Sequence, residues 1–570
     1  MNTLKHLFHG TKGTIIRQPK FSSATTHPPG DPSENIEQSI YRYRKQHGVN
    51  LGSWFVLERW ITEYPFRCAA SPGQSDLDIA RGEHAKEILE LHWDTWITEA
   101  DFAWLARRGI NAVRIPIGYY HLCGADPTVL EKTDFSGLEP VFEGAWHRIM
   151  QAISTAQRYG IGVLFDLHAA PGKQNRDSHS GTSSSNPTFF QSRSNLQHGI
   201  RVLRILIRNL LTYCQSHSPP LYNVVGVELL NEPQPPSHKN LQRWYIDVIR
   251  ELRAIDPGLP IYISDCWMTE EYTGFIQSLP ASHSSPIVAL DHHLYRCFTS
   301  SDIATPAAQH SGSLSDLNAP TPRAFAEAAQ KLGDASGGLV VGEWSGALNP
   351  GSLHGADEYQ ARKNYISAQL ALFERYCAGW FFWTYKKEHK GDCGWSFRDA
   401  VEGGVFPNYV GVKPRNVCLA DTPQRQARRG SAKDVALGQH IDYWSRYPGH
   451  HEYWRFEQGF VQGWDDAYLF LSWNSGDAPT FVSELGFLGS WARNKTQMHI
   501  AESGSSGNIW EFGATVSIRA RMQPKMTFSR CLELSSLRSH LSWMNDYGGD
   551  LGCVLVAFND SVSILSPIFL

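Results

Sequence analysis

Two glutamates close apolar runs, and each could take part in bond cleavage. VVGVELLNE (224–232) ends on Asn231-Glu232, and GLVVGEWS (338–345) carries Glu343 near its end. A carboxylate finishing a segment suited to a dry interior needs a partner or a task. Hydrolysis of a glycosidic bond requires two carboxyl groups flanking it, one to give a proton and one to meet the developing oxocarbenium ion. A capping or salt-bridged carboxylate is the plainer account of either residue alone. Two such ends in the company of other polar strand ends favour a catalytic pair.

Those other ends come from a regular series. Arg114 lies in NAVRIPI (111–117), Asp166 and His168 in GVLFDLH (162–168), His292 and His293 in PIVALDHHLY (286–295), and Trp383 with Lys386 in GWFFWTYK (379–386). GVNLGSW (48–54) and PIYISDC (260–266) bring the strand-like runs to eight. Amphipathic stretches such as 84–109 and 196–214 separate them. Strand–helix alternation implies parallel strands with helical crossovers. Eight repeats predict an α/β fold closed as a (β/α)8 TIM barrel, whose strand ends meet at one mouth. Opposed strand ends there can hold two carboxyls about 5 Å apart, the spacing of a retaining glycosidase.

Composition narrows the class. The chain has 570 residues, 42% hydrophobic and 19% charged, with a net charge of -4. That balance gives no reason to expect nucleic acid or a membrane as partner. No run reaches membrane-spanning length, and the basic N-terminus lacks the apolar core of a signal peptide. Ten scattered cysteines without a CxxC pair read as reduced thiols. A cytoplasmic monomer is expected, with a cell-surface or extracellular location reached by an unconventional route as the alternative. His292-His293 raises the thought of a metal, but no set at ligand spacing supports one, so neither metal nor cofactor is expected. The 19 tryptophans exceed ordinary packing needs and suit a cleft where sugar faces stack on indole.

Several motifs in order then carry a resemblance. GVNLGSWFVLERWI, RIPIGYYHL, DLHAAPGKQN, LLNEP, DHHLY, VGEWSGAL and WFFWTYK resemble glycoside hydrolase family 5, in particular its fungal exo-β-1,3-glucanase branch. The resemblance implies Glu232 as general acid/base and Glu343 as nucleophile, Glu232 protonated at rest and Glu343 ionised. It implies Arg114 holding Glu343, Asn231 at the sugar 2-hydroxyl, and His168 and His293 at the glucose subsite. It further implies Tyr295 beside the nucleophile, Glu58 recognising the terminal glucose, and Trp383 as the stacking floor. Departures are Arg59, where a proline is usual, and Asp177 and His179, where the secreted relatives carry a phenylalanine and an asparagine. The expected activity is release of glucose from the non-reducing end of β-1,3-glucan. Alternatives are another β-glucoside, glycolipid or aryl (flavonoid) in aglycone, or a glucan-binding barrel without catalysis.

The expected organisation is a loose leader over 1–40, the barrel over 41–411 and a linker over 412–434. A helical, aromatic extension packed on the barrel follows over 435–512, then an irregular tail over 513–570.

Overall fold

The computed structural model describes residues 35–413, 423–473 and 481–516, and the backbone of an antiparallel pair, Leu555–Phe558 with Ser561–Ile564. Eight parallel strands close a barrel in sequence order: β1 Gln46–Asn50, β2 Ala112–Gly118, β3 Gly162–Ala169, β4 Val224–Glu228, β5 Ile261–Ser264, β6 Val288–Leu294, β7 Gly337–Trp344 and β8 Gly379–Phe382. β1 closes the ring by pairing with both β2 and β8.

The helical crossovers follow their apolar stripes. In Arg193–Gln215, Ser192 caps the start by accepting from the Asn195 backbone, and Ile200, Leu203, Ile207, Leu210 and Cys214 form the buried stripe. That spacing of three and four presents one face to the sheet. In Ala145–Arg158 the same face is Ile149, Met150, Ile153 and Ala156. The barrel strands are buried throughout except at the first residue of β4 and at His292 of β6, as expected where helices cover a sheet whose other face lines the barrel.

Inside the ring the layer nearest the mouth departs from the usual branched aliphatics. Asn50, Arg114, Asp166, Glu228 and Asp291 occupy it, each fully buried. Below it the packing is nearly apolar, with Gln46 Nε2 donating across the barrel to Tyr262 Oη at 2.8 Å.

The segment boundaries differ from expectation at three places. Ile36–Tyr43 is a helix, capped by Asn35 accepting from the Glu37 backbone and buried through Ile40, Tyr41 and Tyr43. This helix therefore begins inside the expected leader; residues 1–34 lie outside the described residues. The expected linker is helical from Pro423, as part of Pro423–Trp444. Residues 481–491 belong with the barrel, bridging Arg44 through Leu485 and Val412 through Val482.

Residues 423–471 and 492–516 form a second compact unit. Its core is Ala436, Phe460 and Trp464, and it buries a His440–Glu511 contact of 3.1 Å. Of the expected tail, Thr515 and Val516 are buried in this unit; apart from the short strand pair, residues 517–570 lie outside the described residues. The seven described cysteines are free. Among the described residues no helix is long and apolar enough to cross a membrane.

Candidate active site

Glu343 is aimed by a bulge. Pairing between β6 and β7 jumps from His292↔Val341 to His293↔Glu343, leaving Gly342 as the extra residue. Such an insertion re-aims the side chains around it. Only glycine fits, since a Cβ there would lie 2.1 Å from an Asp291 carboxylate oxygen. Asp291 Oδ1 accepts from the Gly342 backbone at 2.6 Å, which fixes the bulge.

Arg114 binds the layer together. Its guanidinium donates to Glu343 Oε1 at 2.9 Å, Glu228 Oε2 at 2.8 Å, Asn50 Oδ1 at 2.9 Å and Asn231 Oδ1 at 2.8 Å. Asp166 Oδ2 stands 3.1 Å away. The second Glu343 oxygen, Oε2, accepts from Tyr295 Oη at 2.9 Å. Burial leaves Glu343 above the ordinary glutamate range, with His293 and Arg114 offsetting only part of that rise. With both oxygens accepting from strong donors, it presents a carboxylate to the cleft.

Glu232 stands beyond the end of a strand. β4 pairing stops at Glu228, and Glu232 has left-handed backbone, φ +42°, which costs energy in a residue bearing a Cβ. Asn175 Nδ2 donates to the Glu232 carbonyl at 3.1 Å. The turn brings a Glu232 carboxylate oxygen within 4.8 Å of one on Glu343, with a His293 nitrogen also inside that distance of both.

His293 stands between the two carboxylates. Its Nδ1 lies 2.7 Å from Glu232 Oε1 and 3.4 Å from Glu343 Oε2, and its Nε2 lies 3.5 Å from Asp291 Oδ2. Burial disfavours the imidazolium, but Glu343 and Asp291 outweigh it and hold His293 well above the ordinary histidine value. Burial likewise raises Glu232, but the hydrogen bond from His293 and the charges of His293 and His179 bring it down to about 2. The charges around the pair thus favour the proton on His293, one hydrogen bond from the Glu232 that is expected to carry it and able to receive it. The Glu232–His293 pair carries a single proton and titrates as a unit.

A pH profile checks this. The alkaline limb of kcat/KM follows loss of that shared proton, so it lies well above the 6.5 of an ordinary histidine. His293→Asn removes the imidazole, leaves Glu232 as a lone carboxyl and moves the limb to lower pH. An unmoved limb would show that His293 does not hold the proton.

The remaining expected residues fall as follows. His168 is buried and stacks parallel on Trp383, 5.7 Å between ring centres. Its Nδ1 lies 2.6 Å from Asp166 Oδ2, and Asn231 Nδ2 approaches its Nε2 at 3.4 Å. Glu58 accepts from Trp60 Nε1 at 2.8 Å. Burial raises its pKa to about 7, against the lowering charge of His179 and the Trp60 bond. His292 turns away to Asp265, at 2.7 Å. Lys386 pairs with Asp101 at 3.2 Å and takes no part in the cluster.

The model for cellulases of glycosyl hydrolase family 5 matches residues 80–389, over half the chain. The chain belongs to glycoside hydrolase family 5. The Glucan 1,3-beta-glucosidase 3 C-terminal domain model matches residues 425–523, which include most of the described second unit. Glucan 1,3-beta-glucosidase 3 of Schizosaccharomyces pombe is 30% identical across 84% of this chain and 94% of its own length. A probable glucan 1,3-beta-glucosidase A of Aspergillus fumigatus is 30% identical across 63% of this chain and 87% of its own. Among solved structures, a rutinosidase from Aspergillus niger shares the fold, with TM-score 0.51 and 20% identity over 65% of this chain and 99% of that one.

Sequence reasoning missed three members of this family 5 site. Asn50, Glu228 and Asp291 lie within strand runs and were not singled out. The signal was a charged or amide residue flanked by apolar neighbours near a strand's C-terminal end, as in VGVELL and VALDHH.

Proposed function

We propose that the chain is a retaining, exo-acting glucan 1,3-β-glucosidase that releases glucose from the non-reducing end of β-1,3-glucan. The observation carrying the mechanism is the approach of Glu232 and Glu343 carboxylate oxygens within 4.8 Å, which suits a retaining enzyme, whose carboxyls stand about 5–5.5 Å apart, better than an inverting one, which needs about 6.5–9.5 Å. Glu343, held by Arg114 and Tyr295, attacks the anomeric carbon as Glu232 protonates the departing oxygen. Water, deprotonated by Glu232, then displaces Glu343 and releases the sugar with its configuration kept. Asn231, its Oδ1 fixed by Arg114, offers Nδ2 to the 2-hydroxyl. The β-1,3 linkage is supported by the names of the two fungal relatives, and terminal-glucose recognition by Glu58, whose carboxyl feels the charges of His179, Glu343 and Glu232.

Product analysis tests both parts. Laminaripentaose labelled at its reducing end is expected to shorten one unit at a time, with glucose the sole early unlabelled product and β-glucose the first anomer by NMR. Early labelled di- or trisaccharide would overturn the exo reading, and α-glucose would overturn retention. Cleavage of glycolipid or flavonoid glucosides in place of laminarin oligosaccharides would replace the substrate and keep the mechanism.

A further inference from the structure

One histidine near the acid/base has no task in the steps above. His179 lies in the short turn Ser178–Ser180 after β3, with its side chain only 14% exposed. Its proton positions follow from its neighbours. His168 Nδ1 faces Asp166 Oδ2 at 2.6 Å, the same oxygen that stands 3.1 Å from Arg114. That oxygen is an acceptor, so His168 Nδ1 carries the hydrogen and His168 Nε2 is a lone pair. His179 Nδ1, 3.1 Å from His168 Nε2, must therefore donate to it.

That leaves His179 Nε2. It lies 3.8 Å from Glu232 Oε2 and 3.8 Å from Asp177 Oδ2, both too long for a hydrogen bond. Burial opposes a second proton on the ring, but the nearby Asp177 carboxylate and the charges of Glu58 and Glu232 outweigh it, raising the pKa to about 9. At neutral pH Nε2–H is thus a cationic donor held between two carboxylates, at full hydrogen-bonding distance from neither.

Its direction gives it a role. Glu232 Oε1 is occupied by His293, so Oε2 is the oxygen left to meet a glycosidic bond. Two atoms 3.8 Å apart can both reach a single oxygen at about 2.8 Å from each. The oxygen that must sit against Glu232 Oε2 is the departing one in the first step and the attacking water in the second.

We infer that His179 is a second hydrogen-bond donor to the oxygen that Glu232 protonates, so that the leaving group departs between an acid and an imidazolium. The inference rests on the double-displacement reading above. Such a donor strengthens as negative charge grows on the oxygen, so it matters most for poor leaving groups. A sugar alkoxide needs it, and a nitrophenolate that leaves unprotonated does not.

The test compares laminaribiose with 2,4-dinitrophenyl β-glucoside through kcat/KM, each variant being measured at its own pH plateau. For His179→Ala the ratio of laminaribiose to aryl glucoside is expected to fall at least tenfold. His179→Gln, which retains an N–H donor, should recover part of it. An equal loss on both substrates, or a ratio unchanged at the plateau, would overturn the inference. So would a shifted pH limb with an unaltered plateau ratio, since His179 would then act only on the acidity of Glu232. If the unmodified protein cleaves neither substrate, the glycosidase reading itself fails. If it cleaves both and the ratio survives His179→Ala, only the role of His179 falls.

Discussion

Arg114→Met is expected to destabilise the barrel by about 3–5 kcal/mol, the cost of leaving buried carboxylates without their cation. The side chain is fully buried and faces Asp166, Glu228 and Glu343 at 2.7–3.1 Å. Methionine fills most of the volume but brings no charge and no donors. The loss should depend on pH, with a definite sign. Burial already raises Asp166 to about 7, with Arg114 and His293 restraining it, and drives Glu228 well above the ordinary value. Removing Arg114 lifts both further. A group whose folded pKa exceeds its unfolded one stabilises the fold while both states are protonated. That contribution is lost as pH rises through the folded value. The variant should therefore lose more stability at pH 8 than at pH 5 in urea titrations. A pH-independent loss would mean that volume, not charge, is what Arg114 supplies.

The barrel was legible because its signal is local. Each strand run is a few apolar residues closed by a polar one, and each crossover shows helical period, so closure follows from counting. The run 224–232 shows where local signal stops. Its pairing ends at Glu228, and the remaining residues lead into the left-handed turn at Glu232. A glutamate with that backbone cannot be told from an ordinary loop glutamate without the Asn175 contact that holds it. The buried layer was half visible for a similar reason: Arg114 stood out as a strand-end cation, while its partners come from four other strands and meet only in space.

Residues 423–434 are helical although their polarity reads as a linker. PQRQARRGSAKD is rich in Ala, Arg, Gln and Lys, all strong helix formers, and proline is tolerated at a helix start. The resting proton was illegible for a deeper reason. Its place depends on His293 standing between Glu232 and Glu343, an arrangement made by a bulge in β7 that no period reveals.

Replacing each glutamate in turn should separate the two roles most sharply. Glu232→Gln keeps shape and removes both the acid and the base. On laminarin oligosaccharides, whose leaving groups need protonation, kcat/KM should fall by roughly 10²–10⁴. On 2,4-dinitrophenyl β-glucoside the first step should suffer far less, because the phenolate leaves unaided. The second step then lacks a base, so kcat and KM fall together and the glycosyl–enzyme accumulates on Glu343. Intact-protein mass spectrometry should find that adduct. Azide, an anion that attacks without deprotonation, should restore turnover and give the β-glucosyl azide. Glu343→Gln has no carboxylate to bond to the sugar, so neither adduct nor β-azide can form on either substrate. Arg114 and Tyr295 would still hold an amide at that position, which keeps the fold and removes only the nucleophile. Like behaviour of the two variants, or an adduct in Glu343→Gln, would reverse or dissolve the assignment. The asymmetry is demanded by the geometry: one carboxyl is bound by donors that keep it anionic, and the other by a histidine that can trade a proton with it.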